Sequence, residues 1–311
     1  MMLPRELIHD RQQMQQSNSM LKPVIKWAGG KGQILHEIRK RYPLGLGTTI
    51  TKYAEPFVGG GAVLLDILGT YRLKEVFISD TNAELINLYR VIQNNVQDLI
   101  RALHQYKDEF LALGLPGKKE YFTGKRKRFN ELKNDAIHGT ELAALFVFLN
   151  KTCFNGLYRV NRKGGFNVPM GAYKEPPICD EDNLLQVSRA LSNVRISHGD
   201  YHESQTFIDE KTFVYFDPPY RPLNTTSSFT SYTENCFNDD DQRDLAQYIL
   251  ALADSGVHVL ASNSDPHNTD PDDNFFDELY APLTIERIQA YRMINSKAEK
   301  RGPVSELLIH N

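Results

Sequence analysis

Apolar residues in this chain gather into short runs that end in glycine or aspartate. They are "YAEPFVGGG" (53–61), "KEVFISD" (74–80), "VRISHGD" (194–200) and "FVYFD" (213–217), and "VHVLASN" (257–263) continues the series. Between several of them lie stretches with helical period, such as "NAELINLYRVIQNNVQDLIRAL" (82–103) and "DDDQRDLAQYILALADSG" (239–256). Short apolar strands alternating with amphipathic helices predict an α/β fold on a parallel, Rossmann-like sheet. Ligands of such sheets sit beyond the carboxyl ends of the strands, where each of these Gly and Asp residues falls.

The alternation breaks between about residue 91 and residue 191. The pattern there is helical, then loop-rich through "CFNGLYRVNRKGGFNVPMGAYKEPP" (153–177), and reads as a second domain inserted into the first. Residues 21–90 and 192–311 then form one α/β unit around an insertion at 91–191. Near the C-terminus "IERIQAYRM" and "SELLIHN" predict a closing pair of strands around the polar loop "INSKAEKRGP". Residues 1–20, rich in Gln, Ser and Asn, predict a disordered leader and contain no apolar core of a signal peptide.

Composition narrows the class. The longest apolar run, Ala143 to Leu149, is far too short to cross a bilayer, so no membrane partner is expected. Cys153, Cys179 and Cys236 are widely spaced and form no CxxC pair, which predicts a reducing, cytoplasmic setting without disulfides or zinc. The nine histidines show no ligand spacing, and no metal is expected. The net charge is −3, yet Lys118 to Lys174 holds twelve Lys/Arg against four Asp/Glu, a local +8 that leaves −11 on the rest. A basic middle third in an acidic protein is the pattern of one nucleic-acid-binding face, with a solvated helical surface as the plain alternative for "GKRKR".

The glycine turns carry the first chemistry. Gly59 to Gly61 lie between a strand and a helix, but a dinucleotide fingerprint would need glycine at Leu64. No Walker pattern exists either, since Lys31 is followed by Gly32. Asp80, at the tip of the next strand, is placed to hold both hydroxyls of a ribose. A nucleoside bound without phosphates points to S-adenosylmethionine; a glycine turn with a helix-capping Asp is the structural alternative. Lys31, opening a helical run after "KWAGG", suits the single carboxylate of that cofactor, and Trp27 would be a cofactor wall.

"FDPPY" (216–220) carries the second. The amino group of adenine is a poor nucleophile because its lone pair is delocalised into the ring. Two acceptors, one per amino hydrogen, favour a pyramidal nitrogen whose lone pair leaves the ring plane. Asp217 supplies a carboxylate oxygen and the Pro218 carbonyl the other, while Pro218 and Pro219 fix the backbone that aims them. Tyr220 supplies a flat face for the base.

Taken in order, "KWAGGK", "EPFVGGG", "SDTNAELI", "FNGLYRVN", "FNVPMG" and "DPPY" resemble the Dam family of DNA adenine-N6 methyltransferases, of the alpha group and D12 class, over roughly residues 21–311. The resemblance implies a methyltransferase sheet with an inserted target-recognition domain, S-adenosylmethionine as cofactor and double-stranded DNA as partner. It implies Trp27, Lys31, Phe57, Gly59, Gly61, Asp80, Asp200, Tyr201 and Asp217 at the cofactor, and Asp217, Pro218, Pro219 and Tyr220 at the reacting amine. It further implies that Phe154 wedges into the base stack beside Asn155, that Arg159 meets a guanine, that Leu157 and Pro169 meet a thymine methyl and that Lys26 meets the outer guanine. Those residues match the GATC-reading branch. Lys125, Arg126, Lys127 and Arg128 would bind phosphates. The chain is expected to act as a monomer. A solitary enzyme, and one paired with a cognate restriction endonuclease acting separately on the same site, both fit. Methylation of cytosine N4 or of RNA, and a catalytically silent DNA-binding protein, are the competing readings.

Overall fold

The structure, a computed structural model, describes residues 21–221, 237–291 and 303–311. The expected leader, Cys236 and most of the loop "INSKAEKRGP" lie outside the described residues. Seven strands, β1 (Lys52–Glu55), β2 (Glu75–Asp80), β3 (Val194–His198), β4 (Thr212–Phe216), β5 (His258–Ser264), β6 (Thr284–Tyr291) and β7 (Pro303–His310), form one sheet in the order 3-2-1-4-5-7-6. β1 to β5 pair in parallel, and β7 runs antiparallel to both β5 and β6. The expected closing strands are therefore β6 and β7, with β7 lying between β5 and β6.

The apolar runs are continuous because the central strands are covered on both faces. Along β4, Phe213 and Tyr215 point into one core while Val214 and Phe216 point into the other. β1 divides in the same way, with Tyr53 on the first face and Ala54 on the second.

The helices are α1 (Leu35–Arg39), α2 (Ala62–Thr70), α3 (Ala83–Leu111), α4 (Leu115–Asn134), α5 (Thr140–Thr152), α6 (Glu181–Leu191), α7 (Asp239–Asp254) and α8 (Phe275–Leu279). Asn82 caps α3 by accepting from the Leu85 N–H. α3 runs for 29 residues, straight through position 91, with its one non-helical residue at Asn95. Its first half covers the sheet and its second half packs on α5. α5 is buried from Leu142 to Leu149, which is why its sequence is apolar all round. α6, inside the expected insertion, packs on α2 and α3 and leads directly into β3. Among the described residues no helix is long and apolar enough to cross a membrane.

Candidate active site

The sheet reverses its order at β1, whose neighbours are β2 and β4. Its carboxyl end is the switch point at which open α/β sheets bind ligands. Register then does the rest. Ala54 pairs with Val214, so the glycine turn that leaves β1 and the Asp-Pro-Pro-Tyr segment that leaves β4 lie side by side.

The turn is rigid. Gly59 (φ 47°) and Gly61 (φ 71°) are left-handed, and a Cβ at Gly59 would come within 2.9 Å of the Trp27 ring, at Gly61 within 2.4 Å of the Tyr89 hydroxyl. Gly59 N–H donates to Asp80 Oδ2 (3.0 Å) and the Tyr89 hydroxyl donates to the Gly59 carbonyl (3.0 Å). The turn borders a cleft of about 540 Å³. Trp27, Lys31, Gly59, Gly61 and Asp217 all line it, and so do Lys26, Asn155 and Leu157 from the expected DNA-reading set. Trp27 serves as wall and core together: it lines the cleft and stacks on Tyr158 (centroids 5.4 Å apart).

Asp217 is the electrostatic centre. Lys31 Nζ lies 2.7 Å from its Oδ1, and the Ser262 hydroxyl donates to the same oxygen at 2.9 Å. Among the described residues no hydrogen bond reaches Oδ2. Burial pushes the Asp217 carboxyl above its ordinary range, while the Lys31 ammonium and the Ser262 hydroxyl pull it down. Lys31, expected at a cofactor carboxylate, is buried and donates instead to Asp217 and to the Gly29 carbonyl (2.6 Å), with its ammonium 4.6 Å from the Tyr220 ring centre. Behind this pair stands Glu55, the last residue of β1, buried and accepting from the Tyr53 hydroxyl (2.6 Å). Burial pushes its carboxyl up to about 8, against the Tyr53 hydrogen bond and with help from the Asp217 charge. Glu55 therefore holds its proton at neutral pH, and Asp217 faces one ammonium rather than a rival anion.

The segment beyond Asp217 is pinned at two points. The Pro219 carbonyl accepts from Gln242 Nε2 (3.0 Å), whose own Oε1 accepts from Asn263 (3.0 Å). The Tyr220 hydroxyl donates to Glu306 (2.8 Å). The Pro218 carbonyl makes no hydrogen bond among the described residues. Sequence reasoning missed Glu55, Gln242, Ser262, Asn263 and Glu306. Glu55, Ser262 and Asn263 sit at carboxyl ends of strands and were open to the strand-end rule; Gln242 and Glu306 carry no local signal.

The remaining cofactor candidates line up along the strand ends. The Asp80 carboxylate braces the backbone, accepting from Gly59 and from Asn82 N–H (2.9 Å), and burial raises its pKa. Phe57 stacks on Tyr201 (5.8 Å, 30°), joining the ends of β1 and β3. Asp200 is exposed and caps the turn after β3 through His202 N–H (2.9 Å).

On the far wall Phe154 is 53% exposed, on a turn made by the left-handed Asn155 and Gly156. Its N–H donates to the Pro169 carbonyl (2.9 Å), and exposed Arg159 donates to Asn167 (2.8 Å). Buried Asn150 ties this turn to Lys26: it accepts from Lys26 N–H and donates to the Lys26 and Gly156 carbonyls. Lys26, Phe154, Asn155, Leu157, Arg159 and Pro169 thus belong to one connected rim.

The structure does not bring Lys125 to Arg128 onto one face. Four consecutive helical residues point in four directions, about 100° apart. Lys125 lies half-buried over the Tyr106 ring (3.7 Å), and Arg126 donates to the Val168 carbonyl (3.3 Å). Arg128 is bidentate to Glu141 (2.8 and 2.9 Å), and Lys127 is exposed.

A parallel sheet closed by an antiparallel β6–β7 pair, with a glycine turn and an Asp-Pro-Pro-Tyr segment meeting at the switch point, defines a methyltransferase. The family model described as D12 class N6 adenine-specific DNA methyltransferase matches residues 27–294, and the chain belongs to that family. It is similar to the Type II methyltransferase M.MjaIII of Methanocaldococcus jannaschii, 50% identical over 293 residues that cover 94% of this chain and 99% of the relative. It is 36% identical to the Type II methyltransferase M1.LlaDCHI of Lactococcus lactis subsp. cremoris (96% and 98% covered) and 31% identical to the DNA adenine methylase of Escherichia coli strain K12 (91% and 93% covered). The protein is an enzyme that methylates adenine N6 in DNA, as its motifs implied. The readings as a cytosine-N4 or RNA enzyme and as a silent binder fall with that result.

Proposed function

We propose that the enzyme methylates the adenine of GATC in duplex DNA with S-adenosylmethionine as donor, after turning the base out of the helix. The observation that carries the chemistry is Asp217, half-buried at the switch point with both its contacts on Oδ1. The fit of the cofactor rests on the left-handed glycine turn, which has no room for a Cβ and whose Gly59, Gly60 and Gly61 line the cleft. Trp27, Phe57, Gly59, Gly61, Asp80, Asp200 and Tyr201 would hold it. Bound there, it supplies an electrophilic sulfonium methyl.

The chain's own residues activate the acceptor. Asp217 Oδ2 and the Pro218 carbonyl accept the two amino hydrogens, and Tyr220 offers its ring to the base. The proton released when N6 is methylated leaves along the Asp217 hydrogen bond. Lys31 favours the ionised form of Asp217.

Turning the base out costs a few kcal/mol, and exposed Phe154 on its rigid turn would fill the gap. The rim around Lys26 and Phe154 would read the site, with Arg159 on a guanine, Leu157 and Pro169 on the thymine methyl, and Lys26 on the outer guanine. Residues 91–191 would form the target-recognition part, and 21–90 with 192–311 the catalytic part. Exposed Lys127 would add a phosphate contact without specificity. Arg159→Ala is expected to cut discrimination against a duplex with that guanine replaced by about 1–3 kcal/mol, read as the ratio of kcat/KM on the two duplexes. An unchanged ratio removes Arg159 from the reading set.

A further inference from the structure

The acidic stretch "DPHNTDPDDNFFDE" (265–278) stands outside the family motifs, and the residue after the Asp-Pro-Pro-Tyr segment is an arginine. The structure joins the two. Arg221 donates through Nε and Nη2 to both oxygens of Asp239 (2.8 and 3.1 Å) and through Nη1 to Asp273 (2.6 Å). Its guanidinium lies 4.3 Å from the centre of the Phe275 ring. Its backbone is held as well: the N–H donates to Asn263 Oδ1 (3.3 Å), and the carbonyl accepts from the Ser264 hydroxyl (2.9 Å).

The acidic stretch is itself anchored to the sheet. Buried Asp265 accepts from the Ser305 hydroxyl (2.5 Å) and pairs with Arg287 (3.2 Å). Ser305 is the neighbour of Glu306, which takes the Tyr220 hydroxyl. Consecutive residues Tyr220 and Arg221 are therefore fastened to β7 and to the loop that β7 braces. With both carboxylates engaged and an aromatic ring against it, the Arg221 guanidinium is committed inside the protein rather than offered to a DNA phosphate.

We propose that Arg221, gripped by Asp239 and Asp273, is a positioning residue that holds Asp217 to Tyr220 in register for transfer, and that residues 265–278 are its anchor. This rests on the reading of Asp217 as the group that activates adenine. A planar guanidinium shared between two carboxylates fixes direction as well as distance, which a lysine in its place does not do. Loosening it lets the two acceptors drift, and a misplacement of about 1 Å at a reacting centre costs up to about a hundredfold in rate.

The test is a cycle of Arg221→Gln, Asp273→Asn and the double variant, assayed for methyl transfer on a GATC duplex, with thermal melting as the check on folding. Asp273 is partly exposed and asparagine keeps an oxygen for the Phe275 N–H, so Asp273→Asn is expected to melt near the parent. Arg221→Gln is expected to lower kcat about ten- to hundredfold with KM for DNA and for S-adenosylmethionine within about twofold. Asp273→Asn is expected to lower kcat by a smaller factor, and the double variant to match Arg221→Gln, because both act through one contact. A kcat within twofold of the parent for Arg221→Gln, a fall in kcat matched by the loss of folded protein, or effects of the two substitutions that multiply would each overturn the proposal. Asp217→Ala assayed alongside separates the two ideas: transfer surviving there overturns the reading of Asp217 itself.

Discussion

Asp217→Ala is expected to lower methyl transfer by about 10²–10⁴-fold or more while affinity for DNA stays within a few fold. The asymmetry follows from position. Asp217 lies at the floor of the cleft, off the rim formed by Lys26, Phe154 and Arg159, so removing it takes away an acceptor and leaves the reading surface in place. The substitution also strands the buried Lys31 ammonium 2.7 Å from where its partner stood. Breaking a buried pair from one side costs about 3–5 kcal/mol of stability, so the variant melts earlier. Asp217→Asn is the cleaner companion, since it keeps the volume and one acceptor oxygen while removing the charge. Single-turnover transfer from labelled donor, set beside duplex binding on the same preparations, checks the claim. Equal losses of rate and binding would assign Asp217 to holding DNA instead.

Lys31→Met is expected to move the acid limb of the pH–rate profile to higher pH. Asp217 already sits above the ordinary carboxylate range because burial outweighs its favourable contacts, and Lys31 supplies the largest of those contacts. Without the ammonium the carboxyl rises further, so the ionised acceptor is lost at a less acidic pH as protons are added. Stability moves the opposite way with pH. A carboxyl with a raised pKa in the fold binds its proton more tightly folded than unfolded, so protonation favours the fold. The deficit of Lys31→Met relative to the parent is therefore smallest in acid and grows as pH rises through the raised pKa of Asp217, to about 3–5 kcal/mol. Profiles of kcat against pH for both proteins, with melting at the same pH values, check both signs. An acid limb that stays in place would mean Lys31 does not hold Asp217 ionised.

Much of this site was legible because its signals are local. A strand ending in a carboxylate and followed by two prolines announces itself in five residues, and so does a glycine turn between a strand and a helix. The closing pair of strands was legible because two short runs, "IERIQAYRM" and "SELLIHN", flank one polar loop. What stayed hidden depends on pairing across the chain. Lys31, in the turn before α1, meets Asp217, just after β4, only in the folded chain, and no periodicity within either segment encodes that. Glu55 drew no notice as a strand-end acid; its raised pKa comes from burial in the core, with help from the Asp217 charge and against the Tyr53 hydrogen bond. The run Lys125 to Arg128 gave the charge and not its directions, since adjacency in sequence is divergence on a helix. The change of pattern near residue 91 falls inside α3, which runs on past it and kinks at Asn95.

The most direct test is transfer of labelled methyl from S-adenosylmethionine to two matched duplexes, one containing GATC and the other with its adenine replaced. Label is expected in the GATC duplex alone, recovered as N6-methyladenine. Equal label in both duplexes, or label on any other base, would contradict it.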